Sequence, residues 1–368
     1  MRHLPCIITT HMKATCKLVC CIAAAVAFAA VFHSCSKNNG KPALTHEEKN
    51  GVYYWKTVFS PDAQDNNFLL KHNIRRIYLR MFDVTVDIDD NDGRRIPIPN
   101  ATVRISESAY KELKSKNIEF VPVVYITLDA LKCGQECGIG DLAKKIVERV
   151  KNMCSYNELS HIEGLQLDCD WTPTTEKSFF ALCDSVKAEL PLKLSATIRL
   201  HQLSRPAPPV DYGVLMVYNP GNFSDPDAAN SILDEKDVKP YLKHIGKYPL
   251  HLDVAYPTYS WQLLFRSRRF VGLLNGVEVG DTAKFMPKAA NAYVAKKDMV
   301  YRETIIYKGD MIRTEQSDFR TISRVKSLIE AQMKGKPHSS ILYHFDLKNL
   351  KKYSDDETQS LFGNAPGK

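Results

Sequence analysis

Residues 163–171 read Glu-Gly-Leu-Gln-Leu-Asp-Cys-Asp-Trp, and this stretch decides the fold that we predict. Alternate side chains of a β-strand face opposite ways, so Gln166, Asp168 and Asp170 share one face and the apolar residues between them share the other. A strand with an inward polar face and an outward apolar face is typical of a barrel wall covered by helices. Acidic residues at the end of such a strand indicate a functional site.

Seven further apolar runs read as strands, and helical periodicity occupies most of the gaps. The eight predicted strands are 52–59, 74–84, 119–127, 162–171, 192–200, 212–219, 250–256 and 340–346, and helices are predicted at 141–153, 175–190 and 317–333. This count predicts an α/β fold, the (β/α)8 TIM barrel, with its functional residues at the C-terminal strand ends. A doubly wound open sheet is the alternative, although no glycine-rich turn follows the first strand.

The longest interval lies between the last two predicted strands, at residues 257–339. A single helix needs only about 15 residues there, so the interval predicts a small inserted α+β subdomain at about 262–316. Within it, Tyr301–Tyr307 and Met311–Glu315 flank a Lys-Gly-Asp turn and are predicted to pair as a hairpin. The barrel domain with this insertion then covers residues 49–368.

An apolar run from Leu18 to Phe32 follows Lys13 and Lys17, and translation could begin at Met12. The run is shorter than a membrane span of about 20 residues and is typical of a secretory signal. The predicted signal peptide is residues 1–34.

The end of this run, Phe-His-Ser-Cys35, resembles the lipobox of bacterial lipoproteins. That resemblance implies lipidation of Cys35, a flexible tether over 35–48, and a lipid-anchored protein of the cell envelope, on its periplasmic face or outer surface. A plain secretory signal is the alternative.

Charge and composition exclude several classes of protein. The chain has 50 basic and 42 acidic residues and is 44% hydrophobic, which is ordinary for a folded globular protein. Three basic residues belong to the signal, and the others are interleaved with acids, so no nucleic-acid partner is expected. We expect a monomer without a cofactor.

The cysteines beyond the signal and Cys35 number five, namely Cys133, Cys137, Cys154, Cys169 and Cys183. The first two are spaced to close a small loop in an oxidising compartment, whereas Cys169 and Cys183 lie in apolar patterns typical of buried thiols. A zinc knuckle needs a second pair at matching spacing, and the sequence has none.

The two acids of the central strand carry the catalytic hypothesis. Asp168 and Asp170 are two residues apart, about 7 Å along a strand, so their charges can couple and raise one pKa, as a general acid requires. The alternative is structural: Asp168 pairs with an inward arginine such as Arg80 or Arg199, and Asp170 caps the following helix.

Two motifs resemble glycoside hydrolase family 18, whose fourth strand carries Asp-x-x-Asp-x-Asp-x-Glu and whose sixth carries Met-x-Tyr-Asp. The matching positions here are Glu163, Gln166, Asp168 and Asp170, then Met216, Tyr218 and Asn219. The resemblance implies Asp170 as the acid that protonates the glycosidic oxygen and Asp168 as its support. Asp170 is one methylene shorter than the family's Glu, and Asn219 replaces an acid, which puts hydrolysis by that mechanism in doubt.

The segment from Gly164 to His201 is also similar to a bacterial family known as domain of unknown function 3142. That family is thought to be a barrel related to the glycosidases, and the similarity would cover most of residues 50–346. It implies a fold and names no substrate.

Aromatic and polar residues near strand ends form the predicted substrate-binding rim, since sugar rings stack on aromatic faces and hydrogen-bond to carboxylates. The substrate-binding candidates are Tyr54, Arg80, Arg199, Tyr218, Asn219, Asp253, Tyr256, Trp261 and His344. The wider rim adds Tyr53, Trp55, Asp83, Tyr125, His201, Tyr259 and Asp346. For each aromatic residue alone, the alternative is an ordinary amphipathic position in the wall.

These residues support an envelope-anchored glycoside hydrolase-like barrel that acts on or binds a glycan. A non-catalytic carbohydrate-binding lipoprotein and a structural envelope protein are the alternatives. A binuclear metal site from His201, His251, Asp253, His344 and Asp346 is disfavoured, because Tyr53-Tyr-Trp55 stands where barrel metallohydrolases usually carry His-x-His. We therefore assign no metal ligand.

Overall fold

The computed structural model of the 368-residue chain describes residues 46–218 and 222–363. The predicted signal peptide, Cys35, most of the predicted tether, and Asn219 lie outside these residues. The chain divides into two units, Met1–Glu47 and Glu48–Lys368, and the barrel belongs to the second. None of the helices in the described part of the chain combines the length and apolar character that crossing a membrane requires.

Eight parallel strands close into a barrel, which confirms the predicted fold and excludes the open sheet. They are β1 Gly51–Tyr54, β2 Arg76–Ile88, β3 Glu119–Ile126, β4 Gly164–Asp168, β5 Lys193–Arg199, β6 Tyr212–Met216, β7 Leu252–Pro257 and β8 Ser340–Tyr343. Closure occurs at β1, where Gly51 lies opposite Ile341 of β8 and Arg76 of β2. Each of the eight predicted strands overlaps one barrel strand.

The two faces of β4 are as the sequence predicts. Gln166 points into the barrel, where it is fully buried and accepts a hydrogen bond of 2.6 Å from the Tyr53 hydroxyl. Leu165 and Leu167 face outward into the large core between strands and helices. At the start of β4, a Cβ on Gly164 would lie 2.5 Å from the Lys193 carbonyl oxygen, so glycine permits the close approach of β5.

Helices cover the barrel and alternate with its strands. They are α1 Ala63–Lys71, α2 Glu107–Lys114, α3 Leu128–Cys137, α4 Ile139–Tyr156, α5 Glu176–Glu189, α6 Glu235–Ile245, α7 Phe319–Met333, α8 Leu347–Leu350 and α9 Asp355–Phe362, with a 3-10 turn at Leu200–Ser204. The helices predicted by apolar periodicity correspond to α4, α5 and α7. The N-cap position of α5 is Thr175, so the alternative in which Asp170 caps this helix is wrong.

Strand β2 continues beyond the barrel. Its last residues, Asp83–Ile88, pair antiparallel with a strand at Arg95–Asn100. Val58–Phe59 and Arg104–Ile105 form a separate two-stranded parallel pair.

Residues 260–316, between β7 and β8, fold as strands and turns, so the helical part of the α+β subdomain predicted at about 262–316 is wrong. A five-stranded sheet contains Arg269–Leu274, Ser260–Arg266, Met311–Gln316, Ala292–Ala295 and Phe285–Ala289, in that order, and Met299–Tyr301 pairs with Thr304–Ile306. Its core includes Leu264, Phe285 and Ile312.

The predicted hairpin of this insertion is wrong. Tyr301 pairs with Thr304 across a two-residue turn at Arg302, whose φ is 54°. The strand Met311–Gln316 instead pairs with Ser260–Arg266 on one side. The buried Asp310 carboxylate accepts hydrogen bonds from Arg266 and from the Tyr307 backbone, and these contacts fix the chain before that strand begins.

Candidate functional site

A cavity of about 450 Å³ opens at the C-terminal ends of the barrel strands, and its volume lies in the range of small-molecule sites. It is lined by Trp55, Arg80, Asp83, Tyr125, Asp168, Asp170, Arg199, Leu200, His201, Tyr218, Tyr241 and Tyr343. The structure therefore brings together Asp168, Asp170, Arg80, Arg199 and Tyr218 from the predicted site.

Arg199 lies between Asp168, the last residue of β4, and Asp170, which follows that strand. Its Nη2 lies 3.1 Å from Oδ1 of Asp168, and its Nε donates to Oδ1 of Asp170. The Thr197 hydroxyl also donates to Oδ1 of Asp168, at 2.6 Å. For Asp168 the structural alternative, pairing with an inward arginine, is confirmed, and the partner is Arg199.

The two carboxylates differ in exposure. The Asp168 side chain is 2% exposed, whereas that of Asp170 is 49% exposed. Burial raises the pKa of Asp168 above its usual range, Arg199 opposes this shift, and Asp170 adds to it. The inner acid therefore holds its proton more readily than a free aspartate, and the outer acid is accessible to solvent.

A second ion pair lies across the cavity. Arg80 Nε donates to Oδ1 of Asp83 at 2.7 Å, and its Nη2 donates to the other carboxylate oxygen. The guanidinium lies 5.3 Å from the Trp55 ring centroid and thus stacks beside the cavity. A bulge between Arg80 and Phe82 places Arg80 and Asp83 on one face, although residues three apart on a regular strand face opposite ways.

Four of the five aromatic rings that line the cavity form a chain of contacts. Tyr218 and Tyr343 stack with ring centroids 4.5 Å apart and an interplanar angle of 24°. Trp55 contacts Tyr343 at 5.6 Å and Tyr125 at 6.5 Å between centroids. Burial raises the pKa of Tyr125 to about 12, so its hydroxyl is a neutral donor at pH 7.

Tyr241 and Tyr343 are lining residues that the sequence analysis missed. Tyr343 ends β8 two residues after Ile341, which faces the barrel interior, so strand periodicity held a signal for its inward direction. Tyr241 lies on α6, and no sequence pattern marked that helix as reaching the cavity.

Five predicted binding residues lie outside the cavity wall, and three of them, Tyr54, Tyr256 and His344, lie near the ends of β1, β7 and β8. The Tyr54 ring faces the helix layer and its hydroxyl donates to the Val58 carbonyl at 2.6 Å. Tyr256 also faces outward, with Lys326 Nζ 5.9 Å from its ring centroid. His344 follows β8, and its carbonyl accepts from the Thr258 hydroxyl at 3.3 Å.

Asp253 lies at the opposite end of the barrel, so its predicted position near a C-terminal strand end is wrong. It is the second residue of β7, is fully buried, and accepts a hydrogen bond of 2.7 Å from the Ser339 backbone. His251 lies beside it, with 3.4 Å between Nε2 and the carboxylate. His201 lines the cavity at the other end, so these residues do not converge on one binuclear centre.

Trp261 lies in the insertion and is linked to the cavity through the Tyr259 ring. Its Nε1 donates to Oε2 of Glu315 at 2.7 Å, and its ring centroid lies 5.5 Å from that of Tyr259. Tyr259 in turn contacts Tyr218 and Tyr343, at 5.9 Å each.

No protein-family model matches the sequence, and no curated protein sequence matches it. Similar solved structures include the spore cortex-lytic enzyme SleL of Bacillus cereus, with 14% identity, a TM-score of 0.51, and coverage of 85% of this chain and 74% of that one. A chitinase from Chromobacterium violaceum has 13% identity and a TM-score of 0.50, covering 86% and 98%. The C-terminal domain of a putative chitinase from Desulfitobacterium hafniense has 9% identity and a TM-score of 0.51, covering 86% and 99%. At these identities the likeness shows the fold, a (β/α)8 barrel.

Proposed function

We propose that this protein binds an oligosaccharide in the cavity at the C-terminal end of the barrel. The observation that carries the proposal is the convergence of aromatic rings and carboxylates on one opening, because Trp55, Tyr125 and Tyr343 adjoin Asp170 there. A pyranose presents a C–H face that stacks on such rings and hydroxyls that hydrogen-bond to such acids. The fold supports the proposal, since the similar structures include a chitinase and a spore cortex-lytic enzyme.

Hydrolysis is the second candidate, and the two acids at and just after the end of β4 favour it. Asp170 is half-exposed and adjoins the buried Asp168, whose pKa burial raises. In this candidate Asp170 protonates the glycosidic oxygen and Asp168 holds it in place, as the resemblance to glycoside hydrolase family 18 implies. The hydrogen bond from Arg199 to Asp170 weighs against it, because an acid must carry the proton that it donates.

We also propose that the barrel is anchored to the cell envelope through lipid on Cys35. The support is the apolar run that ends in Phe-His-Ser-Cys35. Mass spectrometry of the N-terminal peptide from membranes tests this, since the mature chain would begin at a diacylglyceryl-modified Cys35. A Cys35→Ser variant would then appear in the soluble fraction, and recovery of an unmodified peptide that begins elsewhere contradicts the anchor.

One experiment separates binding from hydrolysis. Residues 36–368 are incubated with a broad oligosaccharide and envelope-glycan panel, with affinity measured by calorimetry and products by mass spectrometry. We expect binding without product release. Product release by the wild type that Asp170→Asn lacks would establish hydrolysis instead.

Matched variants locate the site. Trp55→Ala and Tyr125→Ala should each weaken binding, because both remove a ring from the cavity. Asp184→Asn is the control for the acid substitutions, since Asp184 is exposed on α5 and does not line the cavity. Absence of binding across the whole panel, with every variant folded, contradicts the proposed function.

A further inference from the structure

The charged groups around the cavity have an acidic excess. Asp83, Asp168 and Asp170 face two guanidiniums, those of Arg80 and Arg199, which leaves one negative charge when all three acids are ionised. His201 does not offset this charge, since burial lowers its pKa below the usual value. With Asp168 ionised in its pair with Arg199, the wall that a ligand meets carries one more acid than base.

Both guanidiniums are already engaged. All three nitrogens of Arg199 donate, to Asp168, to Asp170 and, at 3.3 Å, to the Tyr218 hydroxyl. Arg80 donates through two nitrogens to Asp83 and through the third to the Trp55 carbonyl, at 3.4 Å. An anionic sugar would meet no unpaired cation among these residues.

The acids, in contrast, retain unused acceptor capacity. Every hydrogen bond to Asp168 and Asp170 from the described residues ends on Oδ1, and Oδ2 of each accepts none. Asp170 is the accessible one, with 49% of its side chain exposed. Its second oxygen is therefore available to a donor that the ligand brings.

We infer that the preferred ligand is an oligosaccharide that contains an unacetylated amino sugar, whose ammonium group pairs with Asp170. This inference rests on the proposed glycan function and names the class of sugar. Hydroxyl groups of a neutral sugar would also donate to Asp170, but only an ammonium also brings a positive charge to balance the excess acid of the wall. A half-exposed ion pair contributes about 1 kcal/mol, or about fivefold in affinity.

The test compares three tetrasaccharides by calorimetry at about pH 6, where sugar amines are protonated. The probes are a β-1,4-linked glucosamine tetramer, its fully N-acetylated counterpart and a galacturonate tetramer. We expect the glucosamine tetramer to bind about fivefold tighter than the acetylated one, and the galacturonate tetramer to bind weakest. Raising the salt from about 50 to about 300 mM should reduce the difference in affinity between the glucosamine and acetylated tetramers, since the ion pair of Asp170 with the ammonium is partly exposed and is screened by salt.

Asp170→Asn should remove the preference for the amine, while Asp184→Asn should retain it. Equal affinity for the glucosamine and acetylated tetramers, or tightest binding of galacturonate, overturns the inference and leaves the glycan function intact. If no tetramer binds but another glycan of the panel does, the inference also fails. If nothing on the panel binds, the proposed function fails with it.

Discussion

Arg199 and Asp168 form an ion pair across neighbouring strands, with 3.1 Å between Nη2 and Oδ1. The two side chains are only 15% and 2% exposed, respectively, so water screens neither charge well. Each charge is stabilised by the other, because removal of one partner from a buried ion pair leaves the second charge uncompensated.

Arg199→Met should therefore lower the free energy of unfolding by about 3 kcal/mol at pH 7. The loss should be smaller at pH 5, because Asp168 without Arg199 can take up a proton and remain neutral. Urea unfolding at both pH values measures this. The control is Arg205→Met, since the Arg205 side chain is 38% exposed in its ion pair with Glu176. Its removal should lower the free energy of unfolding by less than about 1 kcal/mol. Equal losses for the two variants would contradict the dependence of Asp168 on Arg199.

Asp168 should also give the stability of the wild type a recognisable pH dependence. Burial raises its folded pKa, so as pH rises the unfolded chain releases this proton first. The stabilisation is complete below the unfolded pKa of about 3.9 and is lost as pH rises through the folded value. Asp168→Asn mimics the protonated acid, so the stability of the wild type relative to this variant should fall as the pH is raised from about 4. A relative stability that rises over this range would contradict a raised pKa.

The barrel could be predicted because its strands obey a period of two, which residues 163–171 show most plainly. The same period of two predicts that Tyr54 faces outward, because its neighbour Tyr53 faces the barrel interior. It also predicts that Tyr256 faces outward, because Ala255 faces the interior. Position near a strand end therefore does not by itself place a tyrosine in the cavity wall, because the residue must also have the inward phase of the strand.

Other features could not be read from local patterns. The Arg80–Asp83 pair needs a bulge whose position depends on pairing with β3. The end of the barrel at which Asp253 lies depends on how far β7 continues, and β7 continues to Pro257. The order of strands in the insertion depends on long-range pairing, which a local Lys-Gly-Asp turn does not determine.

Trp55 should report ligand binding by its fluorescence. It lines the cavity, whereas Trp171 is 1% exposed in the outer core and Trp261 lies in the insertion. A sugar that stacks on Trp55 changes the polarity around its indole, so titration should shift the emission. Trp55→Phe should abolish this change and Trp261→Phe should keep it. Retention of the signal in Trp55→Phe would place the ligand elsewhere.

Glu315 should stabilise the insertion and the loop that contacts it. Its buried carboxylate lies 2.7 Å from Arg313 and accepts from the Ser231 backbone, the Ser231 hydroxyl and Trp261. Glu315→Gln leaves the buried Arg313 without a counter-charge and can place the glutamine NH2 group against another donor. We therefore expect the free energy of unfolding to fall by about 3 kcal/mol. Glu303→Gln is the control, since Glu303 is exposed. Thermal unfolding of both variants measures the difference, and a loss below about 1 kcal/mol for Glu315→Gln would contradict the role.

Cys133 and Cys137 should form a disulfide under oxidising conditions. They lie one turn apart in α3 with their sulfurs 3.9 Å apart, Cys133 buried and Cys137 exposed. Burial raises the pKa of Cys133, so the reaction should begin at the accessible Cys137. Its thiolate attacks oxidised glutathione and releases one reduced glutathione, and Cys133 then displaces the second, so two thiols become one disulfide.

Tryptic cleavage checks this reaction, because cuts after Lys132 and Lys144 leave both cysteines in one peptide. Oxidation should lower the mass of that peptide by about 2 Da and prevent its alkylation. Cys154, Cys169 and Cys183 are buried and should stay alkylatable once the protein is unfolded. Cys137→Ser should abolish the mass change. A mixed disulfide with glutathione that persists at Cys137 would show that the helix holds the two sulfurs too far apart to react.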